Sequence, residues 1–136
     1  MSDGALRYIL DASVIAKLVA DEPGSLEFRA WSAEHAGDDL RAPMLAFSEV
    51  GRVIQKGRGK SEAKRLAQTH VETMEDIQLV PTTAADGDGV WKIASGLPFY
   101  DAEYVRLAQR LGGVLVTADR KMAERARKAG VQVKEF

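Results

Sequence analysis

The chain has no cysteine among its 136 residues, which excludes disulfides and thiolate metal sites and makes a reducing cytoplasm the simplest setting. Histidine is nearly absent as well. His35 and His70 both fall in charged, helix-like surroundings, which predicts exposed surface positions rather than metal ligation. Long apolar runs are missing: the hydrophobic segment near the N-terminus is interrupted by Asp11 and Lys17, too short and too charged for a signal peptide or a membrane span. No membrane association is expected. There is also no excess of charge of one sign, since 19 Lys and Arg face 20 Asp and Glu for a net charge of −1. A polycation that wraps nucleic acid is therefore excluded, and a local basic face stays open. Repeats and low-complexity segments are lacking. The length fits one domain, residues 1–136, with a single sizeable core.

What is present is an alternation of short apolar runs and helical periodicity. Tyr8-Ile9-Leu10 reads as a buried strand, and Val14, Ile15, Leu18 and Val19 repeat at helical spacing, with Ser13 as a plausible cap between them. Asp21-Glu22-Pro23-Gly24 is a turn cluster, after which Ser25 is placed to cap a helix through Phe28 and Trp31 towards Ala36. Leu40 to Ala42 is a weak strand. Met44 to Gln55 reads as a third helix with Phe47, Val50, Val53 and Ile54 in one stripe and Glu49 on its partly buried flank. Lys56-Gly57-Arg58-Gly59-Lys60 is a basic turn, and Ser61-Glu62 opens a fourth helix with Ala63, Leu66, Ala67, Val71 and Met74 facing a core.

The second half continues the pattern. Ile77 to Val80 is a strand closed by Pro81, and Val90 to Ala94 a short helix ended by Gly96 and Pro98. Phe99 to Gly113 holds a helix whose stripe is Tyr104, Leu107, Ala108 and Leu111, with Asp101 at its first turn or cap and Gly112-Gly113 as its stop. Val114 to Thr117 is the clearest buried strand, Lys121 to Ala129 a basic amphipathic helix, and Val131 to Val133 a final strand. Without tight hairpin signals, this alternation predicts an α/β/α sandwich: one central parallel sheet covered on both faces.

Four acids fall where such a fold places its ligands. Asp11 and Asp119 follow apolar strands, so both lie at the carboxyl edge of the sheet, where open α/β sheets form their crevices. Asp101 stands at a helix start and Glu49 early in its helix, both within reach of that edge. Taken singly, each acid has a structural reading as a cap, a strand end or a surface residue. Taken together, four carboxylates on one partly dry rim repel strongly unless a divalent cation joins them. Oxygen-only donors without His or Cys favour Mg²⁺ or Mn²⁺ over zinc. Such a site suits phosphodiester hydrolysis, in which the metal activates water, orients the phosphate and neutralises the leaving oxygen. Ser13 and Thr117 are placed to hydrogen-bond to the acids or to water at the site.

These residues resemble a known family. LDASVIAKLVADEPGS, LAFSEVGRVIQKGR, YDAEYVRLAQRLG and LVTADRKM, in this order and spacing over nearly the whole chain, are similar to the PIN-domain ribonucleases, and in particular to the VapC-type toxins of bacterial toxin–antitoxin pairs. The resemblance implies a PIN-like fold, a metal-dependent endoribonuclease acting on RNA, a small antitoxin that blocks the site, and a homodimer. By motif it makes Asp11, Glu49, Asp101 and Asp119 the catalytic, metal-binding quartet, with Ser13 and Thr117 in support. One departure is Arg52, which stands where many relatives carry Asn. A cation there is placed to pair with Glu49 or to touch phosphate.

Candidate phosphate contacts on RNA are Arg52, Lys56, Arg58 and Lys60 on one segment and Arg120, Lys121, Arg125 and Arg127 on another. Taken singly, most of them read as part of a solvated helix face. Apolar residues such as Trp31 and Phe47, if left on helix surfaces, would support dimerisation. Three competing readings remain. A response-regulator receiver needs a phosphoacceptor Asp after its middle strand, where Pro81-Thr82 stands instead; a haloacid-dehalogenase-type phosphatase needs a second Asp where Ser13 stands. The third is a non-catalytic PIN-like domain that binds RNA or protein.

Overall fold

A computed structural model describes residues 6–57 and 59–136 of the chain, so the expectation for Arg58 lies outside the described residues. The elements run β1 (Arg7–Leu10), α1 (Ala12–Val19), α2 (Ser25–Glu34), β2 (Asp39–Pro43), α3 (Ala46–Gly57), α4 (Lys60–Glu75) and β3 (Gln78–Val80). After a 3-10 turn at Ala84–Asp86 come α5 (Gly87–Ile93), α6 (Phe99–Leu111), β4 (Val114–Thr117), α7 (Arg120–Lys128) and β5 (Gln132–Glu135).

All pairings in the sheet are parallel and the strand order is β3-β2-β1-β4-β5. Register sets Ile9 against Leu115 and Leu10 against Val116, so β1 and β4 end level with each other. Helices α1 to α4 pack among themselves, and α5 to α7 form a second group in which α6 lies on β1, β2 and β4. The right-handed rule for parallel crossovers explains this division, because the chain moves one way along the sheet from β1 to β3 and the opposite way from β4 to β5. That makes the gap beyond the carboxyl ends of β1 and β4 the topological switch point, where neighbouring connections diverge and leave a crevice.

Ile9, Leu10, Leu115 and Val116 are fully buried between Val14 and Ile15 of α1 and Tyr104 and Val105 of α6. Burying each large apolar side chain contributes about 1.5–3 kcal/mol, which fixes the strands whose ends carry the acids. Gly112 ends α6 at φ 65°, a left-handed turn that glycine adopts without a Cβ clash. At Gly113 a Cβ would stand 3.1 Å from the Arg7 carbonyl, so the close approach of the chain into β4 also favours glycine.

Several local expectations are corrected. Ser13 does not cap α1: the N-cap is Asp11, and Ser13 lies inside the first turn. Ser25 likewise is the first residue of α2, after Gly24, and its hydroxyl accepts from Glu22 N while donating to the Ala20 carbonyl. In α3 the inward stripe is Ala46, Val50 and Ile54, and Phe47 and Val53 are exposed. In α4 the stripe is Leu66, His70 and Met74, an i, i+4, i+8 row that leaves Ala67 and Val71 outside.

Both histidines differ from their surface expectation. His70 is buried, donates from Nε2 to the Phe47 carbonyl at 3.0 Å, and ties α4 to α3. His35 is half-buried, stacked on Trp31 with ring centroids 4.1 Å apart. Trp31 itself joins Tyr8, Phe28 and Phe136 in an aromatic cluster, so it is no free apolar surface.

Candidate active site

Asp11 is the residue on which the switch point closes. Its backbone N–H continues the sheet by donating to the Val116 carbonyl at 3.0 Å, which fixes the side chain against the end of β4. One carboxylate oxygen, Oδ2, accepts from Ser13 Oγ at 2.6 Å and from Thr117 Oγ1 at 2.9 Å. The two hydroxyls are in turn acceptors: Ala118 N–H donates to Ser13 Oγ and Asp119 N–H to Thr117 Oγ1, each at 3.0 Å. Strand ends 106 residues apart in sequence are thus joined through one carboxylate. Burial pushes the Asp11 carboxyl above its usual range, and nearby Asp119 adds to the rise; bonds from Ser13, Thr117 and the Ala12 N–H oppose it.

Asp119 is the N-cap of α7, its Oδ1 accepting from Met122 N at 3.1 Å. Its structural role and its position on the rim therefore coexist. Glu49, in the first turn of α3, is half-buried and accepts at Oε1 from Tyr104 Oη at 2.5 Å. Burial raises its carboxyl, the Tyr104 bond lowers it, and the charges of Asp11 and Glu103 raise it. Tyr104 sits three residues after Asp101 on α6 and is wholly buried. Burial first, then its bond to Glu49, keeps its phenol protonated far above the ordinary range, so it serves as a fixed donor.

Asp101 stands in the first turn of α6, two residues inside a helix whose N-cap is Pro98. It is half-buried, and its carboxyl is pushed up to about 6 by burial first and then by Asp11, Asp119 and Glu49 in turn. Among the described residues no donor offsets these effects. The charges of Asp11, Asp119 and Glu49 thus all bear on Asp101. The four acids do not close into a cage: among the described residues no group of three or more carboxylate or imidazole side chains is gathered tightly enough to hold a metal ion.

The sequence reading missed Tyr104 as a functional residue, counting it only in the apolar stripe of α6. Its signal was a hydroxyl at a core position on the Asp101 side of the helix.

The cations divide. Arg52 makes no ion pair with Glu49; it lines a groove of about 950 Å³ between α3 and α4, with Phe47, Lys60 and His70. Lys56 is exposed near the end of α3. Lys121 is exposed in the first turn of α7, just past Asp119. Arg127 and Arg120 are drawn towards Glu135, at 3.3 and 3.9 Å, and Arg125 donates to the Lys92 carbonyl at 3.1 Å. No helix among the described residues is long and apolar enough to cross a membrane.

The fold is a small parallel α/β domain with Asp11 and Asp119 at the carboxyl ends of the two strands that flank its switch point. Residues 8–128 match the model of the PIN domain, and the chain belongs to that family. It is 30% identical over 126 residues to "Ribonuclease VapC3" of Pyrobaculum aerophilum, covering 88% of this chain and 95% of that one. Among solved structures it is similar to FitAcB from Neisseria gonorrhoeae, with TM-score 0.73 and 15% identity over 93% of this chain and 95% of the other. It is also similar to VapBC2 from Rickettsia felis bound to a promoter DNA fragment, with TM-score 0.68 and 10% identity over 96% and 99%. At those identities the two structures speak to the fold alone.

Proposed function

We propose that this protein is a Mg²⁺- or Mn²⁺-dependent endoribonuclease, the toxin of a toxin–antitoxin pair, acting in the cytoplasm and held inactive by a small antitoxin that covers the acidic cleft. The observation that carries this reading is the coupling of Asp101 to Asp11, Asp119 and Glu49 at the switch point. Support comes from the family and from a relative named as a ribonuclease over nearly its whole length.

The chemistry of the donor set suits a hard divalent cation, because it is oxygen-only and its mutual repulsion favours a positive charge, and the four side chains would have to draw closer to share one. Asp11, Glu49, Asp101 and Asp119 are the residues that would hold it. When bound, the cation supplies water activation and charge neutralisation at the scissile phosphate. The chain's own groups do the positioning. Ser13 and Thr117 hold Asp11 in one rotamer, Tyr104 holds Glu49, and the N-cap bond holds Asp119. Arg52, Lys56 and Lys121 contribute phosphate contacts that orient RNA without reading sequence.

The test is titration of purified, antitoxin-free protein with Mg²⁺ and Mn²⁺ against a mixed structured RNA pool, beside Asp11→Asn. Cleavage that requires the cation and disappears in the variant is expected. Cleavage in EDTA, or undiminished in Asp11→Asn, would remove the acidic site from the chemistry; cation binding without any cleavage would favour the non-catalytic binding domain.

A further inference from the structure

A groove of about 470 Å³ lies where α5, α6 and α7 meet, and no residue of the acidic quartet lines it. Its floor is built from a chain of bonds. Arg106 of α6 lies across Gly89 of α5, where a Cβ would stand 2.6 Å from its Cζ, so glycine is what leaves room for the guanidinium. That guanidinium donates from Nε to Asp86 Oδ1 at 2.9 Å and from Nη1 to Gln109 Oε1 at 2.7 Å. Gln109 Nε2 in turn donates to the Ala129 carbonyl at 3.1 Å. Arg125 of α7 adds a second link, donating to the Lys92 carbonyl at 3.1 Å. The three helices are thus tied to one another through the lining of the groove, and a site fixed beforehand loses less freedom when a ligand enters.

The charge along the groove is not balanced. Asp86 is taken up by Arg106, whose Nη2 stands 2.8 Å from it. Lys92, Arg125 and Lys128 remain, and among the described residues none of them has a carboxylate partner. Asp88 is the other acid of the lining; it stands one turn before Lys92 on α5 without pairing with it. Three cations gathered against one carboxylate repel one another and attract a compact anion. A phosphomonoester carries close to two negative charges at pH 7 and three acceptor oxygens, which matches that excess. A phosphodiester, with one charge, matches only half of it. The groove is large enough for more than the phosphate, and a carboxylate is an acceptor suited to sugar hydroxyls. We propose that the groove between α5, α6 and α7 binds the phosphomonoester of a nucleotide, with Lys92, Arg125 and Lys128 on the phosphate and Asp88 on the ribose. Either a free mononucleotide or the phosphorylated end of an RNA supplies that chemistry. The site stands independently of the nuclease reading, because it shares no residue with the acids and needs no divalent cation.

The test is an NMR titration of the full chain in EDTA with adenosine 5′-monophosphate and, beside it, adenosine, so that no metal at the acidic edge takes the nucleotide. The monophosphate is expected to shift the backbone amides of residues 86–92 and 125–129, and adenosine to leave them in place. Lys92→Gln combined with Lys128→Gln should weaken binding about 10-fold or more, as the loss of charge-assisted bonds does. Lys92→Arg combined with Lys128→Arg should retain it. Lys64→Gln, which removes an exposed cation from α4 in the other helix group, should change nothing. A short RNA with and without a 5′-phosphate separates the two sources. Groove shifts that need the 5′-phosphate and saturate at lower concentration than the monophosphate requires assign the site to an RNA end; shifts by the monophosphate alone assign it to the free nucleotide. Equal shifts by adenosine and its monophosphate, or equal weakening by Lys64→Gln, would overturn the proposal. So would groove binding by RNA that ignores its terminal phosphate, or amides that neither the monophosphate nor the phosphorylated RNA moves.

Discussion

On the β1–β4 side of the cleft Asp11 is almost fully buried and receives two hydroxyl bonds, whereas on the α3–α6 side Asp101 is half-buried and faces three carboxylates with no donor among the described residues. The first side belongs to the fold. Its carboxylate closes a network joining two central strands, and a buried group so bonded contributes order whether or not a ligand is present. The second side is held apart by the fold and gains only when positive charge arrives. One cleft thus contains an acid that builds and an acid that waits. Substitutions that treat the two alike should separate them.

The largest separation is expected with Asp101→Asn. RNA cleavage should fall about 100-fold or more, the scale seen when one preorganised charge-stabilising group is lost. The fold should hold. Because the Asp101 carboxyl lies at about 6 in the folded chain against 3.8 for a free aspartate, its stabilising contribution is complete below 3.8 and is lost as pH rises through about 6. Metal-free wild-type protein should therefore lose melting temperature between pH 4 and 7, and Asp101→Asn should flatten that slope. An unchanged slope would mean that Asp101 is not the strained member.

Thr117→Val should give the opposite signature. It leaves the Asp119 N–H without its acceptor and Asp11 with one hydroxyl fewer, at a wholly buried position. An unpaired buried group costs about 1–3 kcal/mol, readable as a lower urea midpoint with the m-value unchanged. A midpoint equal to wild type would break the contrast between the two sides.

The smallest effect is expected for Tyr104→Phe, which acts within the α3–α6 side. Losing its bond to Glu49 should cost about 0.5–1.5 kcal/mol and move the Glu49 carboxyl further up, since that bond is what lowers it. A carboxyl-detected NMR titration would show the direction. A downward shift would assign the lowering to another group.

The layered sheet and the position of the acids were legible because they rest on local signals: apolar runs, helical spacing, and an acid directly after a strand. What was not legible depends on partners remote in the chain. Ser13 looks like a cap from its neighbours alone; its role comes from Asp11 on one side and Ala118 on the other, 105 residues away. His70 reads as a surface residue until α3 supplies a carbonyl for its ring. Tyr104 counts as apolar in a periodicity argument, and only the arrival of Glu49 gives its hydroxyl a purpose. The coupling of the acids could be argued from topology, but the spacing that keeps them short of a closed cage could not.

The bond between Thr117 and Asp11 also has a consequence in time. During synthesis at about 5–20 residues per second, on the order of 5–20 s separate the appearance of Asp11 from that of the hydroxyl that orients it. An unfinished chain on the ribosome holds half of the acidic edge. If the finished edge cuts RNA, the nascent chain stays harmless to its own message until the ribosome has passed Thr117.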